Sequence, residues 1–131
     1  MDSISRKDLS KFRLEQAQTA LTTAKSNFKE NLLDGAVNRS YYCVFHAMRA
    51  VLALDGYDSK KHSGIISEFR KSYLKTERLP TFLSDIIRDA FTIRNESDYE
   101  DFYVIEKAEA EEQVANAGVF LQHVRDFLGE W

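Results

Sequence analysis

A chain of 131 residues with one proline and five glycines has few places to turn sharply. Compact all-β chains need a turn about every eight to twelve residues, so this scarcity favours long helices. The single cysteine, Cys43, excludes an internal disulfide and suits a reducing cytoplasm. Long apolar runs are missing as well. The opening MDSISRKDLS has no apolar segment of the signal-peptide kind, and no stretch approaches the ~20 residues that cross a bilayer. The expectation is a cytoplasmic protein that does not enter the membrane. Histidine is sparse, and His46, His62 and His123 are scattered. With no two-histidine helical zinc spacing, no cysteine cluster and no Gly-rich phosphate loop, neither a metal nor a cofactor is expected. A Ser–His–acid triad is recognised by geometry, which the order of residues does not supply.

Apolar residues make up 44% and charged residues 30%, the composition of an ordinary globular chain. The length suits one domain, residues 1–131, with one core. A net charge of −3 excludes a general polyanion binder, but the charge is unevenly spread. Ser59–Arg78 carries a local +4, from Lys60, Lys61, Arg70, Lys71, Lys75 and Arg78 against Glu68 and Glu77. Glu96–Glu112 carries a local −7, with Lys107 its one cation. The basic segment is either a solvated helix face or an electrostatic footprint for phosphate.

Apolar periodicity predicts the elements. A first helix is expected after Ser5, with Asp8 completing a capping box, running to about Lys29 on Leu9, Phe12, Leu14, Ala17, Ala20, Leu21, Ala24 and Phe28. A second, from about Asp34 to Leu54, is apolar round most of its circumference and therefore central. Its core stripe is Val37, Tyr41, Val44, Met48, Val51 and Leu52. Another stripe, Arg39, Tyr42, Cys43, His46, Arg49 and Ala53, is mixed, and faces either a second subunit or a polar cleft. Gly56 suits a left-handed helix end. A short helix is expected over His62 to about Leu74, and Pro80 marks the start of the next. Glu100–Val104 reads as a loop, and the last helix, from about Ile105 to Leu128, carries Ala108, Val114, Ala117, Leu121, Val124 and Leu128. The predicted fold is all-α: an antiparallel up-and-down bundle of four long helices plus one short one.

The least ordinary feature is Arg94. The stripe Leu83, Ile86, Ile87, Ala90, Phe91 continues onto Arg94 and then Ser97 and Asp98. A guanidinium on a core stripe must reach water, pair with a carboxylate such as Asp98 at i+4, or sit in a site built to use it. One composite site is available. Arg94 supplies a cation and Asp98 orients it. Tyr42, His46 and Tyr99 supply donors and rings, and Lys60, Lys61 and His62 give a positive edge at a helix N-terminus. Arginine grips phosphate bidentately and aromatics stack on bases, so the set fits a nucleotide or RNA. Each member also has a plain structural reading: His46 a satisfied core histidine, Tyr42 core, His62 a cap, Arg94 and Asp98 an ion pair.

The segments AVNRSYYCVFHAMRAVLAL, KKHSGIISEF and FTIRNESDY, in that order and spacing, resemble the prokaryotic HEPN domains, specifically their small stand-alone subfamily. The resemblance covers nearly the whole chain. It implies an up-and-down helical bundle that often forms a homodimer, and a place beside a minimal nucleotidyltransferase in a toxin–antitoxin pair. Active HEPN ribonucleases are similar to one another in a metal-independent Arg-x4–6-His motif. Arg94 matches its arginine and Asn95 the polar residue that follows. The histidine does not carry over, because Asp98, Tyr99, Glu100 and Asp101 stand where it would be. RNA cleavage needs a group that moves protons near neutral pH, and tyrosine or aspartate does so poorly unless strongly shifted. The expectation is therefore a nucleotide- or RNA-binding module partnering a nucleotidyltransferase. Two alternatives stand beside it. One is a ribonuclease toxin whose variant site uses Arg94 with His46 or Tyr99, and the other is a structural homodimerisation module.

Overall fold

A computed structural model describes residues 2–129. Five α-helices follow one another: α1 Ser3–Lys29, α2 Leu33–Ala53, α3 His62–Phe69, α4 Leu83–Tyr99 and α5 Lys107–Leu128. A π-helical turn, Arg70–Leu74, extends α3. No strand occurs among the described residues, and none of their helices is long and apolar enough to cross a membrane.

The central position of α2 follows from its composition. Thirteen of its residues are buried, and it packs against α1, α3, α4 and α5. Its seam with α1 is the most extensive, and both helices bury small side chains, Ala17, Ala20 and Ala24 on α1 and Ala36, Ala47 and Ala50 on α2. Ser10 pins that seam by donating its hydroxyl to the Ala50 carbonyl at 2.6 Å. The second layer is aromatic. Phe69 lies fully buried between Tyr73 and Phe120, with ring centroids 5.8 Å away in both cases. The Tyr73 hydroxyl donates to Asp55 at 2.5 Å, tying the π-helical turn to the end of α2.

Several expected boundaries shift. The first helix begins at Ser3, and its cap is Asp2, whose carboxylate accepts from the Ser5 amide, rather than Ser5 with Asp8. Pro80 stands in a turn three residues before α4, and its carbonyl accepts from the Leu83 amide. The capping box that does form is Glu106 with Glu109, which starts α5 two residues later than apolar periodicity places it. Gly56 has φ 71°, the left-handed end its position suggests. Phe12 and Ala108, both expected in the core, are exposed, while Arg13 and Ala110 point inward. A polar residue that finds a partner can displace an apolar one from a helix face. Arg13 does so by reaching the Arg49 carbonyl and Asp58, each at 3.3 Å.

Truncating the Phe69 ring removes its contacts with both Tyr73 and Phe120. Phe69→Ala is expected to lower stability by about 3–5 kcal/mol. The check is the urea midpoint at unchanged m-value.

Candidate functional site

The mixed stripe of α2 emerges through the gap its neighbours leave. Arg39, Tyr42, His46 and Arg49 are half-buried there, while Cys43 and Ala53, expected on the same stripe, are inside the core. On one side, Arg39 and His46 line a groove of about 350 Å³ with Glu15, Gln16 and Thr19 of α1. On the other stand His62, the first residue of α3, and Arg94 of α4.

The centre of this arrangement is Tyr41, a residue that periodicity assigns to the core alone. It is fully buried, yet it joins the other groups. Its hydroxyl and His62 Nδ1 lie 2.7 Å apart, a hydrogen bond whose direction follows the imidazole tautomer. The Arg94 guanidinium sits over its ring, 4.4 Å from the centroid, and lies 5.9 Å from that of Tyr42. The His62 ring stacks on Phe45 at 4.0 Å. His46 flanks Tyr42 and Phe45, with centroids 5.9 Å from each.

Arg94 is 8% exposed, so its partners decide what it does. Asp98 is the expected one, but Arg94 Nη1 and the carboxylate are 3.6 Å apart. Charge-assisted pairs close to about 2.7–2.9 Å when they satisfy both groups. Arg94 Nε, moreover, has no hydrogen-bond partner among the described residues. The ring beneath the guanidinium supplies cation–π attraction without using its N–H edges. Asp98 thus balances the charge at a distance, and the buried Nε is left without a partner.

The titrations follow the same geometry. Burial pushes the Tyr41 hydroxyl up to about 12, with the Arg94 charge pulling the other way. Burial, then Arg49, Arg39, Arg13 and His62, push His46 down to about 4. His62 is lowered by burial and by the Arg94 and Arg49 charges. Both imidazoles are therefore neutral at neutral pH. Asp58 would be raised by burial, but the Ser59 amide and the Arg49 and Arg13 guanidiniums hold it below the usual carboxylate range.

The proposed site residues thus fall into two groups. Arg94, Asp98, Tyr42, His46 and His62 surround Tyr41 and Phe45. Asn95 and Tyr99 line a different groove with Phe91, Thr92, Glu96 and Glu100, and Tyr99 is largely exposed at the end of α4. Lys61 is exposed at the N-terminus of α3, its amide donating to Ser59 Oγ at 3.2 Å. No group of three or more potential metal ligands occurs among the described residues. Tyr41 and Phe45 are the members that sequence reading missed. The available signal was the i+4 spacing of Tyr41 and Phe45 beside Tyr42 and His46, which puts four rings on adjoining faces of one helix.

The pH dependence of folding tests this arrangement. The unfolded chain protonates His46 near 6.5, whereas the folded chain resists until about 4. The stability this gives is complete above pH 6.5 and is lost as pH falls towards 4. His46→Gln is expected to flatten the fall in urea midpoint between these values, and parallel curves for the two proteins would contradict it.

Comparison with known proteins supplies the family. The model of the HEPN domain matches residues 10–127. The "Putative toxin MJ0142" of Methanocaldococcus jannaschii is 31% identical over 115 residues, covering 88% of this chain and 78% of that protein. "Putative toxin MJ0605" of the same organism is 30% identical over 89% of this chain and 87% of its own. A UPF0332 protein of Archaeoglobus fulgidus is 32% identical, covering 90% and 94% respectively. The match spans every helix that contributes to the α2 strip, α1 to α4, and the all-helical bundle agrees with it. The chain belongs to the HEPN family.

Proposed function

We propose that this HEPN protein is a nucleotide- or RNA-binding module that partners a nucleotidyltransferase in a toxin–antitoxin-type system, with Arg94 as its phosphate-gripping residue. The observation that carries the reading is the loose pairing of Arg94. A guanidinium held over Tyr41, 3.6 Å from its carboxylate and with its buried Nε unbonded, is pre-oriented and only loosely paired, which supports a ligand at its terminal nitrogens. The two relatives named as toxins support the toxin side of the reading. The partner side draws on the segment after α4. Tyr99, Phe102 and Val104 are strongly exposed within six residues, in the most acidic part of the chain, and Phe102 has the unfavourable φ of 63°. Exposed apolar side chains on a strained backbone suit a surface that a partner covers. A second copy in a homodimer is one such partner, and a nucleotidyltransferase is the one proposed here.

A second reading, a metal-independent ribonuclease with a variant site, is favoured by one observation. His62 puts a neutral imidazole 2.7 Å from the Tyr41 hydroxyl, on the ring that carries Arg94. Such a group accepts a proton at neutral pH, the chemistry that the missing motif histidine would otherwise supply.

Calorimetric titration with AMP separates ligand binding from a purely structural role for Arg94. Arg94→Met should fold and bind at least about tenfold more weakly, since a hydrogen bond to a charged group contributes about 1.5–3 kcal/mol. Arg94→Lys keeps the charge, loses the fork and should fall between. Unchanged AMP affinity in folded Arg94→Met contradicts the assignment. Phe102→Ser should weaken the complex with a co-expressed nucleotidyltransferase while AMP binding persists, and an unaffected complex removes that surface from the account. RNA cleavage in EDTA that disappears in His62→Gln would establish the second reading.

A further inference from the structure

Arg70, in the basic segment Ser59–Arg78, borders a groove that the proposed function leaves unused. We infer that this groove, between α3 and α4, binds a small amphiphilic carboxylate, its alkyl chain on the apolar floor and its head at Arg70. The site goes beyond the phosphate-bearing ligand proposed for Arg94 and stands or falls independently of it.

The groove follows from how α4 packs. This helix lies against α2, α5 and the π-helical turn rather than along α3. An opening of about 400 Å³ remains between α3 and α4. Small-molecule sites are mostly apolar hollows of about this size with a few placed polar groups. Here the apolar surface comes from Ile66 and Ile87, both buried, and the half-buried Phe91. Ser63, Ser67 and Thr92 line it from exposed positions. Ser63 and Arg70 are seven residues apart, which at 1.5 Å per residue is about 10 Å. That length suits a chain rather than a lone ion.

Arg70 is held in place from the opposite helix. Its Nε donates to Ser84 Oγ at 3.1 Å and its Nη2 to the Ser84 carbonyl at 3.2 Å. Ser84 belongs to the first turn of α4, so the guanidinium bridges the two walls of the groove. Two of the five N–H donors are thus spent on neutral oxygens. The end-on pair, one N–H on each terminal nitrogen, remains, and it is an edge that a carboxylate meets bidentately.

The charges around the groove set the class of ligand. Arg70 forms no ion pair among the described residues. Glu68, two residues away, accepts instead from the Ser72 hydroxyl at 3.2 Å. Arg88, the other cation of the lining, is paired with Asp85 and Asp89 at 3.1 and 3.2 Å. One uncompensated charge beside an aliphatic floor matches one anionic head on an apolar body. A polyanion would find no second cation there. The π-helical turn begins at Arg70, whose carbonyl accepts from the Lys75 amide at 2.8 Å, and such turns are frequent at functional sites.

Calorimetric titration of the full chain with octanoate, octanol and acetate tests the assignment. Octanoate should bind one to one. Octanol, which keeps the chain and loses the charge-assisted hydrogen bonds, should bind at least about tenfold more weakly. Acetate, with no chain to bury, should also be weaker than octanoate. Arg70→Met, with folding checked by its urea midpoint, should bind octanoate no better than octanol, and Arg70→Lys should fall between. Ser67→Phe, at an exposed lining position, should fill the groove and block octanoate with helicity retained. Equal affinity for octanoate and octanol, or for octanoate and acetate, overturns the site. Unchanged octanoate affinity in folded Arg70→Met or Ser67→Phe does the same. Absence of octanoate binding also overturns it, and a sedimentation coefficient altered by Ser67→Phe would then assign the groove to a second copy of the chain.

Discussion

Everything distinctive about this protein follows from one packing constraint, the contact of α2 with every other helix. A helix so enclosed must be apolar almost all round, and its alanines let α1 approach closely. Polar side chains on α2 then have one exit, the gap between α1 and the α3–α4 side. Arg39, Tyr42, His46 and Arg49 all take it. The residues that meet them there, His62 and Arg94, come from the two helices that border the gap. The site is what remains open once the core has closed.

Tyr41 connects the core to that opening. Its buried ring is part of the packing, while its face holds Arg94 and its hydroxyl holds His62. A single side chain thereby fixes the positions of two groups from different helices, the kind of support that gives a binding constellation its precision. The electrostatic consequence is equally direct. Burial, and then four arginines around two imidazoles, keep both histidines neutral, and one shared carboxylate, Asp58, moderates the excess charge from its exposed position. A face with this charge balance supports the anionic ligand proposed for it.

Much of this was legible before the fold was known. The scarcity of glycine and proline and the 3.6-residue periodicity announced the bundle, and Leu83–Tyr99 was visible as α4 with Arg94 on its buried stripe. Helix starts were less so, because Asp2 and Glu106 cap through side-chain hydrogen bonds that apolar spacing does not register. Arg13 escaped notice for a related reason. Its burial depends on the Arg49 carbonyl and Asp58, 36 and 45 residues away. Within the site, Arg94, Asp98, Tyr42, His46 and His62 could be nominated by residue type and helical spacing. Asn95 was nominated by its place in the motif and Tyr99 by residue type as a donor and ring, and the helical turn carries them to another groove. Tyr41 and Phe45 left only the weak signal of their i+4 spacing beside Tyr42 and His46, since on a helix buried nearly all round an aromatic looks the same whether it fills the core or supports a site.

The α2 strip, organised by Tyr41, is the proposed seat of a phosphate-bearing ligand. Chemical-shift mapping on isotope-labelled protein, with AMP added, addresses it most directly. The account predicts perturbations confined to residues 39–49 of α2, His62 and Arg94. Shifts centred instead on the outer face of α5, or on the Asn95–Tyr99 groove with the α2 strip silent, would contradict it.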